Sequence, residues 1–121
     1  MSAASYKDLI VWQKAMDLAV IIYELVKKLP KQETYALSDQ MRRAAVSIPS
    51  NIAEGRERSS DKDFIRFLYM AWGSKSELET QLHIAMRVDF LREEDTAEAL
   101  RLLDEISKML NVLIKKLAVS P

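Results

Sequence analysis

The chain has 121 residues, 49% of them hydrophobic and none of them cysteine, which is the size of one domain with one core. Because Lys plus Arg and Asp plus Glu each total 18, no global charge attracts it to nucleic acid or an anionic membrane. The absence of cysteine excludes disulfides and thiolate metal sites, so we expect a cytoplasmic protein.

The chain also lacks the features of an exported or membrane protein. Its first residues contain no apolar signal-peptide core, and its longest uncharged run, residues 44–53, is far shorter than the ~18 residues that span a bilayer. Two glycines and three prolines provide few turns for a sheet. We therefore predict an all-α fold, with residues 1–121 as a single domain and helices at about 7–28, 36–54, 60–88 and 92–118.

The first predicted helix is apolar around most of its circumference. Steps of three and four residues predict that one seam faces the core, formed by Leu9, Trp12, Met16, Ala19, Tyr23 and Val26. Further apolar residues lie off that seam, namely Ile10, Val11, Ala15, Leu18, Ile21, Ile22 and Leu25. A small domain cannot bury both sets, so we expect another subunit to cover part of this helix.

The second predicted helix carries an apolar stripe beside a polar one. Leu37, Met41, Ala44, Ala45, Ile48 and Ile52 share the predicted core face, and the polar stripe consists of Gln40, Arg43, Ser47, Asn51 and Glu54. Pro49 lies inside the helix, where its missing N–H leaves the carbonyl of Ala45 without its usual partner. We expect the helix to stop at Gly55, in the left-handed conformation that often follows a helix end.

Two interpretations of the polar stripe remain open. In the first, its groups pair across helices or subunits, compensate the backbone freed by Pro49 and fix the packing register. In the second, the stripe is partly exposed, and Arg43 with Asn51 binds an anion or a partner peptide.

The third and fourth predicted helices complete the fold. Ser60, three residues before Asp63, is a candidate N-cap of the third helix, and Gly73 in its middle predicts a close helix crossing. The core residues expected on the third helix are Phe64, Phe67, Leu68, Ala71, Leu78, Leu82 and Ala85; those on the fourth are Leu103, Ile106, Leu110, Leu113 and Leu117. Short connections between four long helices predict an antiparallel up-down-up-down bundle.

The sequence offers little for catalysis. His83 is the only histidine, and a Gly-rich phosphate loop and a nucleophile elbow are both missing. Glu79 precedes His83 by four residues and position 80 is Thr80, so the Glu-x-x-His motif of di-iron bundles is absent. Ser47 has no catalytic partner on its helix and is expected to bond a backbone carbonyl. We expect no enzymatic activity, cofactor, metal or small-molecule substrate.

A binding role for RNA or DNA is the alternative to a purely structural scaffold. The candidate contacts surround the second connection and are Arg42, Arg56, Arg58, Lys62 and Arg66, with Arg43 beside them. Four acidic residues, Glu54, Glu57, Asp61 and Asp63, lie among them. One chain therefore offers only a small local excess of positive charge, which a ring of subunits would multiply. Trp12, Tyr69 and Trp72 could stack on bases, although aromatics at helical spacing are more often core residues.

Three segments resemble one bacterial family. They are residues 8–15, residues 40–55 and the pair Gly73-Ser74 followed by residues 77–82, and the most specific string is Ser47-Ile-Pro-Ser-Asn-Ile-Ala-Glu-Gly55. The chain resembles the four-helix-bundle family named after the 23S rRNA intervening-sequence protein, to which the accessory protein of diversity-generating retroelements is also similar.

The resemblance covers nearly the whole chain. It implies a homopentameric barrel of antiparallel bundles with no assigned enzymatic activity. For the retroelement relative it implies a basic pentamer that binds nucleic acid and a reverse transcriptase. The zero net charge and Trp72, at a position where members often have a basic residue, depart from that pattern.

Overall fold

The computed structural model describes residues 5–119; residues 1–4, part of the segment judged not to be a signal peptide, lie outside it. The described chain forms four α-helices and no strand: α1 (Ile10–Leu25), α2 (Leu37–Arg56), α3 (Asp61–Arg87) and α4 (Glu93–Ala118). Three short 3-10 turns, Tyr6–Asp8, Val26–Lys28 and Lys31–Glu33, flank or follow α1. The prediction of an all-α fold is confirmed.

The four helices surround one hydrophobic core. α2 contacts both α1 and α3, and α4 contacts α3 and α1. The core residues expected on α3 are all buried, and those expected on α2 are buried except Leu37, which is half-buried. On α4, Leu103, Ile106 and Leu110 are buried and Leu113 and Leu117 are half-buried. Periodicity therefore identified the core face of three helices.

The core face of α1 is not the one predicted but the neighbouring one, about 100° around the helix. Its buried residues are Val11, Ala15, Leu18, Ile22 and Leu25, all from the set placed off the seam. Of the predicted seam, Met16 is 41% exposed and Tyr23 is 47% exposed, and only Val26, just beyond α1, is buried. Both stripes have helical spacing, so periodicity could not decide which one meets the other helices.

Gly55 lies inside α2 and does not end it in a left-handed conformation. Its φ is not positive, and α2 continues through Arg56. A Cβ added at Gly55 would lie 2.7 Å from Cβ of Phe67 and 3.0 Å from Cδ1 of Phe64. The glycine is required because α2 and α3 approach each other closely at this point.

Gly73 does not mark the close crossing predicted for it. A Cβ at this position would meet nothing within 4 Å among the described residues, and Gly73 is exposed on α3. Within the described chain, the close approach that the sequence assigned to Gly73 occurs at Gly55.

Side chains at the helix ends set where α3 begins and ends. Ser60 Oγ accepts a hydrogen bond from the Asp63 N–H at 3.1 Å, which confirms the predicted N-cap. At the other end, Asp89 has a positive φ of 63°, and the Phe90 and Asp89 N–H groups bond the carbonyls of Ala85 and Met86. This is the Schellman arrangement, with aspartate at the position where glycine is usual.

Two ion pairs connect α4 with the α1 region. Lys28 Nζ lies 2.8 Å from Asp95 Oδ1, and Lys14 Nζ lies 2.6 Å from Glu105 Oε1. The hydrogen bond from Lys28, assisted by the Arg92 N–H, lowers the pKa of Asp95 below its ordinary 3.8. The hydrogen bond from Lys14 likewise lowers the pKa of Glu105 below 4.5. Both carboxylates favour the ionised form in the folded chain.

Candidate interaction surface

The stripe of α1 next to its buried face forms a partly exposed apolar surface together with α2. A groove of about 310 Å³ runs between the two helices. It is lined by Tyr6, Trp12, Met16, Ala19, Val46, Pro49, Ser50 and Ala53. Val20 and Tyr23 continue the stripe along α1 and are 64% and 47% exposed. We call these ten residues the outer face.

Local structure holds the aromatic end of the outer face in place. Ser5 caps the 3-10 turn Tyr6–Asp8 by accepting a hydrogen bond from the Lys7 N–H at 3.1 Å. The turn places the Tyr6 ring edge-on against Trp12, with ring centroids 5.3 Å apart. Gln13 donates to the Lys7 carbonyl at 2.9 Å and ties the turn to α1. The apolar groove therefore has a preformed aromatic wall.

The opposite end of the outer face is charged. A second groove, of about 500 Å³, is lined by Tyr23, Val46 and Ser47 together with Asp39, Arg42 and Arg43. Arg43 Nε lies 3.2 Å from Asp39 Oδ2, but the Arg43 side chain remains 80% exposed. This pair is held weakly enough for Arg43 to reach a second acceptor.

The predicted polar stripe divides into two groups. Ser47 and Asn51 are half-buried, whereas Gln40, Arg43 and Glu54 are exposed. Asn51 Nδ2 donates to the carbonyl and the hydroxyl of Ser47, each at 2.9 Å. The structure therefore does not bring the five side chains together as one site.

Ser47 joins α2 to α3. Its hydroxyl lies 2.8 Å from the hydroxyl of Ser74, so the expectation that it bonds a backbone carbonyl was wrong. Sequence reasoning missed Ser74 as the partner, because a contact between two helices leaves no spacing signal within either one. The Asn51 side chain donates to the Ser47 carbonyl, which lies two residues after the Ala45 carbonyl that Pro49 frees.

The basic residues around the α2–α3 connection are only partly brought together. The guanidinium carbons of Arg58 and Arg66 lie 4.7 Å and 4.6 Å from the centroid of the Phe67 ring. Each also pairs with an acid three or four residues earlier in the chain, Arg58 with Glu54 at 2.8 Å and Arg66 with Asp63 at 3.5 Å.

The remaining basic candidates occupy three different positions in the fold. Arg42 lies about four turns before Arg56 along α2, where its Nη2 donates to the Thr34 carbonyl at 3.2 Å. Lys62 shares a groove of about 700 Å³ with Leu117 and Ala118 at the end of α4. Arg56, half-buried, is the last residue of α2.

Two polar side chains of α3 are buried. Lys75 is 7% exposed, with its ammonium 4.3 Å from the centroid of the Trp72 ring. Gln81 is 5% exposed, and its Oε1 has no hydrogen-bond partner among the described residues. Neither was predicted from the sequence, because both occur among polar residues at ordinary helical spacing.

The described residues show no metal-binding group and no helix suited to the bilayer. Between residues 5 and 119, no three His, Cys, Asp or Glu side chains lie together so as to hold a metal ion. None of the helices in this part of the chain has the length and apolar character needed to cross a membrane. His83, the histidine considered for metal binding, is exposed.

These features define a small, four-helix, all-α protein with an exposed apolar surface. The model of the 23S rRNA-intervening sequence protein family matches residues 7–112, and the chain belongs to that family. A search of curated proteins found no significant match.

A solved structure is similar over most of the chain. It is the crystal structure of a protein of unknown function from the S23 ribosomal protein family of Bacteroides thetaiotaomicron, 32% identical, with a TM-score of 0.81. The match covers 88% of this chain and 99% of that one.

Proposed function

We propose that this protein is a non-enzymatic scaffold that self-assembles through its outer face, into a pentameric ring. The observation that carries the proposal is the exposure of Met16, Val20 and Tyr23 on one stripe of α1. Together with the groove beside them, they form a continuous apolar surface of the kind that marks protein interfaces. The number of subunits rests on the family resemblance.

The proposed ring is built from antiparallel bundles. The contacts along the chain support this direction of the helices. Ser47 contacts Ser74 while Gly55 contacts Phe67, so rising numbers on α2 meet falling numbers on α3. Likewise Lys14 pairs with Glu105 on α4 whereas the later Lys28 pairs with the earlier Asp95.

Native mass measurement of the purified protein tests the assembly. We expect the wild-type protein to be a pentamer and Val20→Glu to dissociate it, because a carboxylate on the outer face would be buried without a partner. Val112→Glu is the matched control, since Val112 on α4 is also 64% exposed but lines a different groove, between α4 and the start of α1. A wild-type monomer would refute the proposal, and dissociation by Val112→Glu alone would place the contact on another face.

RNA or DNA binding is the second candidate function. The exposed guanidinium groups of Arg58 and Arg66 over Phe67 favour it, because the same groups can contact phosphates or stack on bases. The neighbouring acids offset part of this charge, so we expect binding only when the surface is repeated around a ring.

Filter binding of the assembled protein to RNA and DNA across a salt series tests this role. We expect affinity to fall steeply with salt and to fall further in Arg58→Gln/Arg66→Gln. Affinity that is absent, or that does not change with salt, would exclude phosphate contacts.

A further inference from the structure

Gly73 is unexplained by the fold of a single chain. It lies in the middle of the 27-residue helix α3, where glycine costs ~1 kcal/mol relative to alanine. Its φ is not positive, so its backbone conformation does not require glycine. The space beside it is open for 4 Å, so packing within the described chain does not require glycine either.

Exposed apolar side chains border Gly73 on the same side of α3. Tyr69 and Met70 precede it by four and three residues and are 58% and 46% exposed. Residues at these spacings are neighbours on a helix surface. The missing Cβ therefore creates a notch beside two exposed apolar side chains, which we call the Gly73 notch. Glu77, also exposed, lies one turn further along.

Measured along the helix axes, the Gly73 notch lies level with the outer face. The adjacent Ser74 bonds Ser47, which places Gly73 level with the middle of α2, close to the height of Pro49 and its neighbours in the apolar groove. By the same register, Glu77 lies near the height of Arg43.

We infer that the Gly73 notch is the second half of the subunit contact and receives the outer face of the next copy of this chain. The inference rests on the self-assembly proposed above. A closed ring needs two different faces on each subunit. With the ring axis parallel to the helices, rotation brings together surfaces that lie level along the helix axes. The apolar groove then meets Tyr69 and Met70, and Arg43 of one copy meets Glu77 of the next.

Charge and shape both favour a second copy as the occupant. The Arg43 side chain is 80% exposed beside the outer face. Glu77 is an exposed carboxylate beside the notch, and it accepts a long hydrogen bond, 3.4 Å, from Gln81. Because Gly73 has no Cβ, the backbone of α3 can approach the neighbouring subunit closely.

Gly73→Leu tests the inference by filling the notch. The side chain enters open space in the single chain, so we expect helix content to be retained while subunit association weakens by roughly tenfold or more. Sedimentation across a dilution series measures the association. A wild-type association constant for folded Gly73→Leu would overturn the inference.

A charge exchange provides the second test. Glu77→Arg and Arg43→Glu should each weaken association, and the double variant should recover it, because the pair is then reversed between neighbours. A double variant no better than the worse single variant would contradict the contact. If Val20→Glu dissociates the ring while these variants do not, only this inference fails; a monomeric wild type refutes self-assembly itself.

Discussion

Gly55→Ala is the sharpest test of how α2 packs on α3. The new Cβ would lie 2.7 Å from Cβ of Phe67 and 3.0 Å from Cδ1 of Phe64, about 1 Å inside ordinary contact distance. The closest atom is attached directly to the α3 backbone, so rotation of the Phe67 side chain cannot relieve the contact and the helices must separate. Such overpacking costs about 1–3 kcal/mol, and the higher helix propensity of alanine offsets ~1 kcal/mol of it.

We therefore expect Gly55→Ala to lower the free energy of unfolding by up to about 2 kcal/mol. Urea denaturation followed by circular dichroism, at one fixed protein concentration, measures it. Ala97→Gly in α4 is the control, because Ala97 is exposed and the variant reports the propensity difference alone. The packing argument is refuted if Gly55→Ala gains as much stability as Ala97→Gly loses.

Three further predictions concern a polar contact, an ion pair and a helix end. Asn51→Leu should lower the free energy of unfolding by about 1 kcal/mol through loss of its bonds to Ser47; unchanged melting with loss of a binding partner would instead favour the anion- or peptide-binding interpretation of the stripe. Because the pKa of Asp95 is lowered in the folded state, its contribution to stability is complete above 3.8 and is lost as the pH falls through the lowered value. Asp95→Asn should therefore destabilise at pH 7 but much less at pH 2 in urea titrations, and equal losses at both pH values would contradict this. Asp89→Gly should raise the free energy of unfolding by about 0.5–1 kcal/mol by relieving the positive φ of 63°, and a lower urea midpoint than wild type would argue against strain at this residue.

Sequence patterns predicted the fold class and much of the core, but little of the candidate surface. On α2, apolar and polar residues occupy separate stripes, so helical spacing alone predicted that Met41 and Ile48 are buried. On α1 both candidate stripes are apolar, and the prediction chose the one containing Met16 and Tyr23, which is exposed. The excess of apolar residues nevertheless correctly indicated that some of them would not fit into the core.

The two glycines show why close contacts could not be predicted. A glycine inside a helix indicates that a side chain is unfavourable there, but not which helix approaches. Gly55 was predicted to end a helix and Gly73 to mark a helix crossing, whereas the structure places Phe67 against Gly55 and open space beside Gly73. Ser74 was missed as the partner of Ser47 for a similar reason, since the two residues are 27 positions apart.

By itself, the sequence determined that this protein is all-α, where α3 is capped by Ser60, and that α1 has more apolar surface than one core can bury. These are local properties, set by the period of the helix, by capping chemistry and by composition. Only the tertiary structure decided which side of α1 meets the core, that Gly55 is the point of close approach, and that the Ser47–Asn51 group faces Ser74 while Arg43 remains exposed. Those choices depend on how the helices rotate and approach one another, and the packing energies that fix them arise between residues distant in the chain.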